Sequence, residues 1–137
     1  MRGCSAVAVL AKSDKYPSGN PGFSTETECL GNLAVIRCVG RLCFQGEAQL
    51  LAEAAQDLLR AGNNLVLDFA ALTLMDSGGI GQLVFISMYA QAQGREVCIA
   101  CAPDRIRYLL ELTNVASLFE FFGSVEDALE RCASNAA

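Results

Sequence analysis

The chain has 137 residues, a net charge of −5, 53% hydrophobic residues and 18% charged ones. That length and apolar content suit one domain with a sizeable core, while the acidic balance argues against a nucleic-acid surface, which needs clustered Lys and Arg, and against polybasic attraction to anionic lipid. Histidine is absent, which removes His-ligated metal sites and His-based catalytic dyads or triads, and no apolar run approaches the ~20 residues of a membrane span.

Residues 1–23 contain "KSDKYPSGNPG", a Pro/Gly/Ser/Asn cluster that reads as a flexible leader. The stretch "SAVAVLA" after Arg2 is short for a signal-peptide core and lacks a good cleavage site. A cytoplasmic protein is therefore expected, with its folded domain over 24–137. "FSTETECL" alternates Phe23, Thr25, Thr27 and Cys29 with polar partners, as an edge strand does. "LAVIRCVG" at 33–40 is a second strand, rich in β-branched residues. Over 46–62, Leu50 or Leu51, Ala54 or Ala55, and Leu58 recur at the helical period, and Gly62 supplies a stop. "NLVLDF" at 64–69 is a continuous apolar strand from the middle of a sheet, followed by a six-residue connection, "AALTLM".

A helix then runs over 79–93 and ends at Gly94. "EVCIACA" is a further central strand. Pro103 and Asp104 open a third helix with Ile106, Leu109, Leu110 and Thr113 on one face, and "SLFEFF" is a short strand. "SVEDALERC" is the last helix, its Ser124 and Asp127 forming an S-x-x-D capping box. Alternating strands and helices from residue 33 onward predict an α/β fold. The expected architecture is a four- to five-stranded mixed sheet, parallel in its middle, with about four helices packed mainly on one face.

Seven cysteines are scattered along the chain, at 4, 29, 38, 43, 98, 101 and 132. Cys98 and Cys101 match C-x-x-C. In a strand, odd spacing sends two side chains to opposite faces, and a redox pair of this type starts a helix instead. Buried cysteines, which pack as small hydrophobes, are the expectation, with no metal site.

The segment "LMDSGGIGQL", Leu74–Leu83, joins strand to helix. Asp76 or Ser77 suits the N-cap, and an acidic residue there favours the positive helix end. Gly78 and Gly79 carry no side chains, so their N–H groups are expected to be approachable by a partner. The segment is no Walker loop, because no Lys follows the glycines. It is no nucleophile elbow either, and without histidine Ser77 has no obvious base.

"LVLDFAALTLMDSGGIGQL" resembles the signature of the STAS family, the anti-sigma-factor antagonist fold. "LAVIRCVGRL" is similar to the family's strand ending in Gly before its first helix. "RIRYLLELTNVASLFEFFGSVEDAL" resembles its C-terminal half. The resemblance covers about residues 24–133. It implies a binding module with no catalytic activity and no cofactor. It also implies partner switching, in which the unphosphorylated domain binds a kinase-type anti-sigma factor and phosphorylation of a hydroxyl in the Asp-Ser-Ser-Gly element releases it. A phosphate adds about −1.5 to −2 charge, and beside Asp76 it would oppose docking.

The sequence departs from that pattern in two places. Gly78 occupies the position of the usual phosphoacceptor, which leaves Ser77 as the candidate. The acidic residue after the second strand's Gly is missing, with Leu42, Cys43 and Phe44 nearby. "DSGG" also resembles the Asp-Thr-Gly-Gly of a second branch, the STAS subunit of bacterial phospholipid ABC transporters, which docks on the ATPase. The transporter subunits are shorter, so the antagonist branch leads and the ATPase is the alternative partner. A nucleotide-binding role lacks a phosphate-cradling lysine.

In the helix that follows Asp76, Ile80, Leu83, Val84 and Ser87 make a face suited to the sheet. Phe85, Met88, Tyr89 and Ala92 form a second stripe on roughly the opposite side, bordered by Gln82 and Gln93 on one edge and by Gln91 and Ser87 on the other. The resemblance makes the outward side of this helix partner-facing, and an apolar outward stripe suits a docking surface or a homodimer contact. The expected partner-binding set is Asp76, Ser77, Gly78, Gly79, Gln82, Phe85, Met88 and Tyr89.

Overall fold

The computed structural model describes residues 22–43 and 47–136. The leader expected over 1–23 lies outside the described residues except for Gly22 and Phe23. Five strands and four helices follow in order: β1 (Phe23–Leu30), β2 (Leu33–Leu42), α1 (Glu47–Arg60), β3 (Asn64–Met75), α2 (Ser77–Gln93), β4 (Val97–Ala100), α3 (Asp104–Leu112), β5 (Glu120–Phe122) and α4 (Val125–Ala136). The sheet order is β1-β2-β3-β4-β5. β1 pairs antiparallel with β2 as an edge hairpin, and the remaining pairs are parallel, as helical crossovers require.

Strand alternation divides the core in two. Ala34, Ile36, Leu65, Leu67 and Ile99 turn to one face, where they meet Leu51, Ala55 and Leu59 of α1, Leu83, Ile86 and Ala90 of α2, and Ile106 and Leu110 of α3. Leu33, Val35, Val66, Cys98 and Ala100 turn to the other, where Ala128 and Cys132 of α4 cover them. Three helices thus share one face and α4 takes the other. Because both faces are covered, Leu65–Leu67 are buried without a break. In α1 the most buried leucines are Leu51 and Leu59, with Leu58 packed at the margin.

β3 is longer than its apolar run predicts. It continues from Phe69 through the supposed connection to Met75, pairing Leu72 with Gly40 and Met75 with Leu42. Register shifts between Arg37/Val39 and Gly40/Arg41 give β3 an extra residue at each of two bulges. Buried residues therefore fall at Phe69, Leu72 and Met75, three apart instead of two, which hides the strand from a period-two reading. Asp68 supports the first bulge by accepting the Ala70 N–H at 3.0 Å, and the Thr73 hydroxyl donates to the Gly40 carbonyl at 3.0 Å. Gly40 has φ 103, a conformation open to glycine, and a Cβ there would collide with the Gly22 carbonyl oxygen.

Helix ends follow local chemistry. α1, α2 and α3 all stop in the same paired hydrogen-bond motif: Gly62 to Leu59 with Asn63 to Leu58, Gly94 to Gln91 with Arg95 to Ala90, and Asn114 to Glu111 with Val115 to Leu110. Asn114 takes the left-handed position that glycine fills in the other two, at φ 65. After it, Ala116–Leu118 form a 3₁₀ turn, so the strand expected over "SLFEFF" shortens to Glu120–Phe122. The turn folds Phe119 into the main cluster. Ser124 accepts the Asp127 N–H at 3.1 Å at the start of α4, which forms one half of the expected capping box.

Candidate functional site

Asp76 lies at the junction between β3 and α2. Its backbone is extended, at φ −116 and ψ −169, and its Oδ1 accepts the N–H groups of Gly78 at 2.8 Å and Gly79 at 3.2 Å. Its carbonyl starts the helix by accepting from Ile80, and its own N–H donates to the Leu42 carbonyl at 3.3 Å. Asp76 is therefore the N-cap, and it ties the first turn of α2 to the end of β2. The expectation that the Gly78 and Gly79 N–H groups stand open is corrected, since both are taken by the Asp76 carboxylate.

Gly79 has a second reason to be glycine. It is buried, and a Cβ there would run into the Leu42 carbonyl oxygen and come within 2.8 Å of Met75 Cγ. The residue lets α2 start hard against the ends of β2 and β3. Ser77 precedes it on the outside of the turn and is exposed; Gly78 is half-buried.

At about 100° per residue, α2 presents two opposed stripes. Gly79, Leu83, Ile86 and Ala90 are buried. Ser77, Gly81, Phe85, Met88 and Ala92 lie on the far side, and all are exposed. Phe85 is 41% exposed and Met88 62%. The inner face is thus centred on Leu83 and Ile86. Ile80 and Val84 only flank it, and Ser87, expected to face the sheet, is half-buried. Tyr89 is not part of the outward stripe. It packs against the main core and stacks on Phe85, ring centroids 6.0 Å apart. Gln82 is half-buried on the same flank. Ile86 was legible, because it continues the i, i+4, i+7 series from Gly79 and Leu83.

A family model of the STAS domain matches residues 24–128. The chain belongs to the STAS domain family. Its fold is similar to that of the anti-sigma factor antagonist SpoIIAA in its unphosphorylated form, with a TM-score of 0.68, 18% identity, and coverage of 80% of this chain and 96% of that one. It is also similar to a putative anti-sigma factor antagonist from Thermotoga maritima, at a TM-score of 0.71 and 18% identity over 78% of this chain and 92% of that one. The murine solute carrier 26 family member A9 anion transporter contains a similar unit: the TM-score is 0.62 and the identity 16%, over 77% of this chain and 18% of the transporter. At these identities the likeness concerns the STAS fold alone.

The cysteines of this STAS domain are arranged differently from the alternation argument. Cys101 lies past the end of β4 at φ 61, which breaks the extended alternation. It packs against the same α4-side cluster as Cys98 rather than on the opposite face. Its thiol donates to the Gly123 carbonyl at 3.6 Å, whereas Cys98 lies 3.3 Å from Cys132. Burial pushes the Cys38 thiol well above the usual range, with the Asp68 carboxylate adding to it. Among the described residues no group of three or more His, Cys, Asp or Glu side chains is placed to hold a metal ion, and no helix is long and apolar enough to cross a membrane.

Proposed function

We propose that this STAS domain is a non-enzymatic protein-binding module that acts as an anti-sigma-factor antagonist in the cytoplasm, docking on a kinase-type anti-sigma factor through the outer face of α2. The observation that carries the reading is the continuous exposed stripe of Ser77, Gly81, Phe85, Met88 and Ala92, which begins at a hydroxyl and continues as apolar surface. Aromatic and Met side chains are common anchors in such contacts. Gln82 and Tyr89 flank the stripe, and Asp76, Gly78 and Gly79 hold its first turn in place.

Ser77 is the proposed phosphoacceptor. A phosphate there would lie near the positive end of α2. However, the Gly78 and Gly79 N–H groups already serve Asp76, so the new charge would meet a carboxylate before it met a free donor. Repulsion and desolvation at the head of the stripe would then release the partner. Gly78, at the family's usual acceptor position, favours a second reading. In that reading the domain docks constitutively on the ATPase of a phospholipid ABC transporter.

The test is incubation with the anti-sigma kinase encoded near the gene, with ATP, followed by mass spectrometry of the tryptic peptide of residues 61–95. Phosphate on Ser77 together with loss of the complex supports switching. A stable complex with a transporter ATPase and no phosphate would favour the second reading.

A further inference from the structure

Cys98 of β4 and Cys132 of α4 face each other across the smaller core cluster, their Sγ atoms 3.3 Å apart although 34 residues separate them in sequence. Both are buried. Arg131, adjacent to Cys132 in sequence, pairs with Glu120 at 3.2 Å. We propose that Cys98 and Cys132 form a reversible disulfide site that responds to peroxide and staples α4 to the sheet.

The chemistry needs no group beyond the two thiols and the peroxide. One sulfur attacks a peroxide oxygen, the O–O bond breaks, and the departing hydroxide takes up the thiol's proton and leaves as water, giving a sulfenic acid. The second sulfur attacks the first, the S–O bond breaks, and a second water leaves with the remaining proton. Two thiols lose two electrons and two protons, and one peroxide becomes two waters. Either sulfur can attack first, because either can be the donor in the S–H···S contact between them.

The linkage would lie within the contact between α4 and the sheet, where Ala128 and Cys132 are fully buried and Val125 and Leu129 pack against the same cluster. Closing a loop of about 35 residues restricts the unfolded chain strongly.

The experiment uses the reduced Cys101→Ser chain, because the tryptic peptide of residues 96–105 holds both Cys98 and Cys101. After hydrogen peroxide and alkylation, a digest without reductant is expected to show residues 96–105 linked to 132–137. Dithiothreitol should separate them, and the oxidised monomer should melt about 10 °C above the reduced one. Introducing Cys98→Ala as well should abolish the link. Recovery of both peptides alkylated and unlinked would overturn the proposal, as would a link from Cys132 to another cysteine or an oxidised chain that melts no higher.

Discussion

Gly79 and the Leu42 carbonyl oxygen are so close that no side chain fits between them. The contact fixes where α2 starts relative to the end of β2, and therefore the direction in which its outer stripe points. It also explains a glycine inside a helix, where alanine would normally be favoured by about 1 kcal/mol.

Gly79→Ala is expected to destabilise the domain by about 1–3 kcal/mol, as overpacking does in a tight core, in spite of alanine's better helix propensity. Urea unfolding followed by circular dichroism checks this. A neutral or stabilising effect would mean that the contact gives way easily. Gly81→Ala, where a Cβ meets nothing within 4 Å, should be neutral or stabilising.

Asp76→Ala removes the acceptor for two backbone N–H groups and should cost about 0.5–2 kcal/mol. Asp76→Asn keeps a carbonyl oxygen in place and should cost less. If Asp76 also meets the partner, affinity will fall by more than the stability loss of either variant. Equal losses in stability and affinity would confine it to capping.

The two faces of α2 make opposite predictions. Ile86→Ala empties a buried site and should cost about 2–5 kcal/mol. Met88→Lys, two residues on, changes an exposed position and should stay within about 0.5 kcal/mol. Tyr89→Glu should fall between them, at roughly 1–3 kcal/mol, because its ring packs on Phe85 and on the core. Thermal melts of the three variants decide the order. A loss at Met88 as large as that at Ile86 would contradict the stripe assignment.

Much of this was legible in the sequence, for identifiable reasons. Asp76 and the glycines at 62 and 94 act through short-range chemistry, which a linear reading captures. The apolar run at Leu65–Leu67 announced a strand from the middle of the sheet. β3 beyond Phe69 was missed because two bulges replace the period-two pattern with buried residues three apart. The inner face of α2 was misplaced because apolar residues occur all round the helix, so periodicity alone gave no unique face. Tyr89 was then assigned outward, although its ring leans on Phe85 and the core. Gly79 looked like an opening for a partner, but the reason for it is a neighbouring strand that only the fold brings close. The Cys98–Cys132 pair joins β4 to α4, and no spacing rule connects those positions.

The central claim is that the exposed stripe headed by Ser77 is the docking surface. Titration calorimetry of the kinase-type anti-sigma factor against the unmodified domain, Ser77→Ala, Ser77→Glu and Met88→Lys tests it directly. All four should melt within a few degrees of one another. Ser77→Ala should bind nearly as well as the unmodified domain, while Ser77→Glu and Met88→Lys should bind at least tenfold more weakly, a loss of about 1.4 kcal/mol or more. Equal affinities for all four folded proteins would contradict the claim.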